Sequence, residues 1–141
     1  FMELQDCINF LLTTAQHNVF QYLSQKLAPY DITPSQYGVL NCLWGRDYNT
    51  PKQIADTLCL ETSTISGVLD RMQKKGLIDR IVNVEDRREV QVIATEKGNL
   101  LEEPVLKIIE EVNIEALKDL NSEQQEQLKI YLRIIANGDF K

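Results

Sequence analysis

Cysteine is scarce and badly spaced for cross-linking. Cys7, Cys42 and Cys59 are odd in number and contain no C-x-x-C pair, which excludes a disulfide framework and fits reduced thiols in a cytoplasmic protein. Cys42 and Cys59 read as core residues. The single histidine, His17, cannot build a zinc site by itself, and no metal or other cofactor is expected. No apolar run approaches the roughly 18 residues of a membrane span, and no basic segment with a signal-like apolar core opens the chain. No membrane partner is therefore expected, and Phe1 ahead of Met2 reads as an extraneous residue before the true initiator. A nucleophile elbow, a phosphate loop and a paired Cys/His arrangement are all missing, so the chain is not expected to be an enzyme. Basic charge is also in short supply. Fifteen Lys/Arg stand against 21 Asp/Glu, a net charge of −6, which argues against indiscriminate nucleic-acid binding. The deficit is local, because Pro51 to Leu100 carries eight residues of each sign and the whole acidic excess lies outside that segment.

What is present is a succession of amphipathic segments in a chain of 141 residues, long enough to bury a core. From Glu3 to Leu27, Leu4, Cys7, Ile8, Leu11, Ala15, Val19, Tyr22 and Leu23 recur at helical spacing. Thr33 and Pro34 restart the chain as N-cap and first helical residue of a helix reaching Gly45. Thr50 caps a short helix from Pro51 to Leu58. The stretch Thr62 to Lys75 carries a stripe of Ile65, Val68, Leu69 and Met72, and Gly76 supplies the left-handed residue that ends it. LIDRIV and EVQVIA, joined by NVEDRR, predict a β-hairpin. From Glu96 a helical stripe resumes through Leu117, with Pro104 in an early turn. A last helix starts near Ser122, with Ser122 and Gln125 spaced as a capping box.

Helix, tight turn, helix and hairpin predict a mainly α fold with a small β-hairpin wing, a winged helix-turn-helix with helical dimerisation arms. Its expected parts are an N-terminal dimerisation helix and connection over 1–33, the reading domain over 34–98, and C-terminal dimerisation helices over 99–141. The apolar stripes of the arms are too long for one small core and suit a homodimer, with packing inside one chain as the alternative.

The second helix of the pair opens on Thr62, Ser63, Thr64 and Ser66, more hydroxyls than an N-cap requires. They offer short donors and acceptors to phosphates and base edges at a helix end that carries free N–H groups. Gly67 lets a groove wall come close, and Arg71, Lys74 and Lys75 can meet the backbone of double-stranded DNA. Arg87 and Arg88, side by side at the hairpin tip, suit a narrow minor groove where negative potential is concentrated. An isolated surface ion pair explains one Arg–Asp neighbourhood, but not its placement at a wing tip.

With QIADTL, STISGVLDRMQKKGLI, EDRR and ATEKG in hand, the chain resembles the multiple antibiotic resistance regulator (MarR) family of bacterial transcription factors over nearly its whole length. Asp86, Arg87, Arg88, Thr95 and Gly98 match that family's wing. Asn83 replaces its usual first Asp, Ala94 its usual Leu, and Gly67 stands where many relatives place arginine. The resemblance implies an obligate dimer, triangular in outline, on a pseudo-palindromic operator, usually a repressor released by a small molecule or by oxidation. Two recognition helices would then enter major grooves about one helical turn, roughly 34 Å, apart. DCINFLL with ITPSQYGVLNCLW resembles the hydroperoxide-sensing branch, which makes Cys7 the candidate redox residue, although Asn9 aligns where that branch has its cysteine. The other candidate input is a small aromatic ligand in a cleft lined by His17, Tyr30, Tyr37, Trp44 and Arg46. A winged helix that serves as a protein-interaction module is the alternative from outside DNA binding.

Overall fold

A computed structural model describes residues 1–46, 49–82, 85 and 89–140. Two copies of one local signal, T-P-x-Q, start the reading unit. Thr33 Oγ1 accepts from Gln36 N at 3.2 Å while Thr33 N donates to Gln36 Oε1 at 3.2 Å. Thr50 and Gln53 repeat the exchange at 3.2 and 2.9 Å. Each box satisfies two orphan donors, and the proline after it has no N–H to leave bare. The results are α2 (Pro34–Leu43) and α3 (Pro51–Leu58). Ahead of them, a 3-10 turn (Leu4–Asp6) leads into α1 (Ile8–Leu27). The first helix therefore starts later than its apolar pattern suggests, and Cys7, expected inside the stripe, is the extended N-cap residue.

Helix α3 ends on Cys59, whose φ of 56° is left-handed, with Leu60 N donating to Ala55 O at 2.9 Å across the end of the helix. The expectation that Cys59 is core is thereby corrected. The turn needs its left-handed residue at that point, which directs the side chain to solvent, and the thiol is exposed. Helix α4 (Thr62–Lys74) follows and stops at Gly76, φ 77°, with Leu77 N reaching back to Met72 O at 3.0 Å. Strands β1 (Ile78–Val82) and β2 (Val90–Ala94) then pair antiparallel, Ile78 opposite Ala94 and Val82 opposite Val90. The outer side of β2 is not bare. Asn49, itself buried, pairs with Val92 through hydrogen bonds of 3.1 and 2.7 Å, and its amide donates to Cys42 O at 3.4 Å.

The stripe that resumes at Glu96 is two helices, α5 (Glu96–Leu100) and α6 (Glu102–Ala116). Pro104 has no N–H for the carbonyl of Leu100, so the ladder breaks and restarts about Leu101. Helix α7 (Ser122–Ala136) is capped by Asn121 and Gln124, each bonding the other's backbone at 2.9 Å, and not by Ser122 with Gln125. Gln125 is diverted. Its amide donates to Leu117 O at 3.0 Å and Leu120 O at 2.9 Å, covering carbonyls at the end of α6.

The core lies where α2, α3, α4 and the hairpin converge. Leu40, Leu43, Ile54, Ile65, Leu69, Met72, Ile78 and Val92 are buried there, joined by Leu27 of α1 and Val105 of α6. Helices α1 and α6 pack on each other. Their outer faces stay uncovered within the chain, with Ile8, Phe10, Leu11, Val19 and Phe20 exposed on α1. Helix α7 buries no residue at all, and Ile130, Tyr131, Leu132, Ile134 and Ile135 are exposed on it. No helix among the described residues is long and apolar enough to cross a membrane.

Candidate nucleic-acid interface

Helix α4 divides into two faces. Ile65, Val68, Leu69 and Met72 are buried, while Thr62, Ser63, Thr64 and Ser66 are exposed. The cap position belongs to Glu61, whose side chain makes no capping bond. None of the four hydroxyls serves as a cap, and among the described residues none makes a hydrogen bond. The N–H groups of the first turn are likewise left for an outside acceptor. A strong exposed set of donors with no internal partner is what an anionic surface can use.

Arg71 leans back along the same helix. A guanidinium nitrogen lies 3.4 Å from where a Cβ on Gly67 would stand, so the missing side chain at Gly67 leaves room that Arg71 occupies. Lys74 is exposed on the next turn. Lys75, expected on the DNA face, is engaged by the protein itself: its ammonium donates to Asp31 O at 2.7 Å and Gln36 Oε1 at 3.1 Å. Arg87 and Arg88 lie outside the described residues, as do Asn83 and Asp86.

One group that matters here has no signal in the sequence. Arg80 of β1 donates to Asp70 Oδ1 at 2.6 Å and to Gln73 Oε1 at 2.7 Å, both on α4. This side-on clamp fixes the angle between α4 and the hairpin, and it neutralises a carboxylate that would otherwise repel phosphate. Asp70 and Arg80 meet only once the hairpin register is set, and no spacing rule announces that.

The five residues expected around a ligand do not share one cleft. Trp44 is buried, and its indole N–H donates to Gly98 O at 3.1 Å, which makes it a strut between α2 and α5. Tyr37 lies half-buried with its ring 6.1 Å from that of Trp44. Burial raises its phenol above the usual range, partly offset by the bond from Asn41. His17 and Arg46 are exposed. Burial also pushes the Cys42 thiol up, and the charge of Arg46 partly opposes this. Tyr30 instead lines an open cleft of about 430 Å³ with Glu103, Pro104, Lys107, Ile108 and Glu111. A second cleft, about 450 Å³, lies between α3, the start of α4 and β2, and includes Thr50, Lys52, Thr62 and Glu89. Cys7 is half-buried, and its thiol donates to Glu3 O at 3.5 Å. Among the described residues no cluster of three His, Cys, Asp or Glu side chains could hold a metal ion.

A helix-turn-helix whose second helix offers bare hydroxyls, with a hairpin clamped to its flank, defines a winged helix-turn-helix protein. The family model of the MarR family matches residues 32–90. The organic hydroperoxide resistance transcriptional regulator of Bacillus subtilis (strain 168) is 34% identical over 107 residues, spanning 76% of this chain and 73% of the relative. The chain belongs to the MarR family of transcriptional regulators. Among solved structures, MepR of S. aureus, crystallised with DNA, is 30% identical with a TM-score of 0.84 over 92% of this chain and 96% of that one. CouR from Rhodococcus jostii RHA1, bound to p-coumaroyl-CoA, is 25% identical with a TM-score of 0.84 over 100% and 99%. The homologues are transcriptional regulators and not enzymes.

Proposed function

We propose that this chain is a cytoplasmic transcriptional repressor that grips a pseudo-palindromic operator as a homodimer and lets go when a small molecule binds. The observation that carries this reading is the face of α4, where four hydroxyls are exposed without partners beside a wing clamped by Arg80. Thr62, Ser63, Thr64 and Ser66, with Arg71 and Lys74, would meet the major groove, and Arg87 and Arg88 the minor groove. The bare faces of α1 and α7 would meet their copies across a twofold axis. MepR supports the DNA reading, being a relative crystallised on DNA. CouR supports the release step, being a relative that holds an aromatic acyl-CoA.

Selection of bound duplexes from a random pool should yield a two-half-site consensus. On that duplex, Arg88→Ala should cost about 1–3 kcal/mol in an anisotropy titration and make affinity less salt-dependent. A wild-type chain that enriches no duplex would identify a protein-interaction module instead.

Release by oxidation is the second reading, favoured by the likeness to a hydroperoxide resistance regulator and by the partial exposure of Cys7. Under it, organic hydroperoxide should free the wild type from DNA and leave Cys7→Ser bound. Release of both alike would assign the signal elsewhere.

A further inference from the structure

We infer that Lys75 is a positioning residue for DNA recognition, tying the end of α4 to the corner where α1 turns into α2, and does not itself touch DNA. The inference rests on the operator-binding reading above. Lys75 is the C-cap residue of α4, and its side chain, 29% exposed, reaches across the fold to Asp31 O at 2.7 Å and Gln36 Oε1 at 3.1 Å. The Asp31 carboxylate stands farther off, at 3.7 Å, and is 90% exposed, so the backbone carbonyl and the amide are the partners that hold the ammonium. Both belong to a stiff corner. Asp31 sits at φ 56°, a left-handed conformation that short polar residues tolerate best. Gln36 is 3% exposed, and its Oε1 already accepts from Thr33 N at the head of α2. An ammonium donating to a buried acceptor makes a strong, directional tie.

The opposite side of the same turn is held as well. Lys97 donates to Lys75 O at 2.7 Å, and Thr95 Oγ1 to Gly76 O at 2.6 Å, both from the start of the chain's return into α5. The last turn of α4 is thus gripped between the corner that ends α1 and the segment that leads to α6. Through these bonds a rotation of either arm would be felt at the C-terminal end of α4. Beside the corner, Tyr30 faces α6 across the open cleft, so the corner itself is in reach of whatever settles there.

The salt dependence of binding separates positioning from direct contact, because each phosphate-neutralising cation that is deleted lowers the slope of log affinity against log salt by about one, and a substitution in a homodimer deletes two, for a change of about two. Lys75→Met is expected to weaken operator binding about tenfold with that slope unchanged. In a Gln36→Met background the same substitution should weaken binding less than it does in the wild type, because the bond to Asp31 O is all of the tie that is left to lose. A slope shallower by about two, an unchanged affinity, or effects that add in full would each overturn the inference. If Gln36→Met does not fold, the slope alone decides. A wild type that binds no duplex sinks the operator reading instead. The tie is then judged by amide hydrogen exchange across 72–77, where Lys75→Met must lose protection and where unchanged protection overturns it.

Discussion

Replacing Gly98 by alanine should lower the unfolding midpoint by roughly 10 °C or more, the shift that about 3 kcal/mol produces in a domain of this size. A Cβ there would stand 2.3 Å from the carbonyl oxygen of Leu77 and 3.3 Å from a methyl of Leu40. Neither neighbour can yield easily. The Leu77 carbonyl accepts from Thr95 N at 3.1 Å, and the carbonyl of Gly98 is held by Trp44 at 3.1 Å, so both backbones are fixed at their closest approach. Here the absence of a side chain serves packing, because α5 must lie against the turn after α4. A calorimetric scan of Gly98→Ala tests this, and a midpoint unchanged from wild type would show that the two segments separate more freely than their hydrogen bonds suggest.

The second large effect is expected from α7. Ile130 and Ile134 lie one turn apart, 48% and 65% exposed, on a helix that buries nothing within its own chain. A double change of both to aspartate should leave the core untouched and place charge at the centre of the proposed twofold contact. Sedimentation equilibrium should report monomers, and operator affinity should fall by about 10²- to 10⁴-fold as the second half-site becomes an independent event. A double variant that remains dimeric with full affinity would move the twofold contact off this face.

The parts of the fold that are legible in the sequence are those governed by neighbours in the chain. Thr33-Pro34 and Thr50-Pro51, each with Gln three residues after the threonine, announce two helix starts. The stripe of Ile65, Val68, Leu69 and Met72 announces α4, and Gly76 announces its end. Local rules fail where two of them compete. Asn121 and Ser122 both offer a cap, and the carbonyls at the end of α6 claim Gln125, which leaves Gln124 to complete the box. Pro104 does lie in an early turn, the first of α6, but the one stripe expected from Glu96 onward is broken at Leu101 into α5 and α6. Cys59 looks apolar, but the turn requires a left-handed residue where it stands.

The candidate site shows the same division. The hydroxyls of α4 are visible as a cluster, and their exposure follows from the helical stripe opposite them. What Lys75 and Arg80 hold is not legible, since Asp31 and Gln36 are 44 and 39 residues from Lys75, and Asp70 lies 10 residues from Arg80 across the turn between α4 and β1. A lysine at the end of a basic helix looks like its neighbours until the chain has folded around it. Trp44 misleads for a related reason, because an aromatic that braces two helices and one that receives a ligand have the same local sequence.

The bridge between Asn49 and Val92 bears on how the protein avoids self-association through its sheet. A two-stranded ribbon exposes two rims of unpaired amides and carbonyls, and such rims can recruit a stranger's strand into a growing stack. On the β2 rim the midpoint is already taken, and the residue that takes it is anchored from behind by its bond to Cys42. Growth from that side would have to evict part of the chain's own α2–α3 connection, so the cross-chain hazard of the wing is confined to the rim of β1.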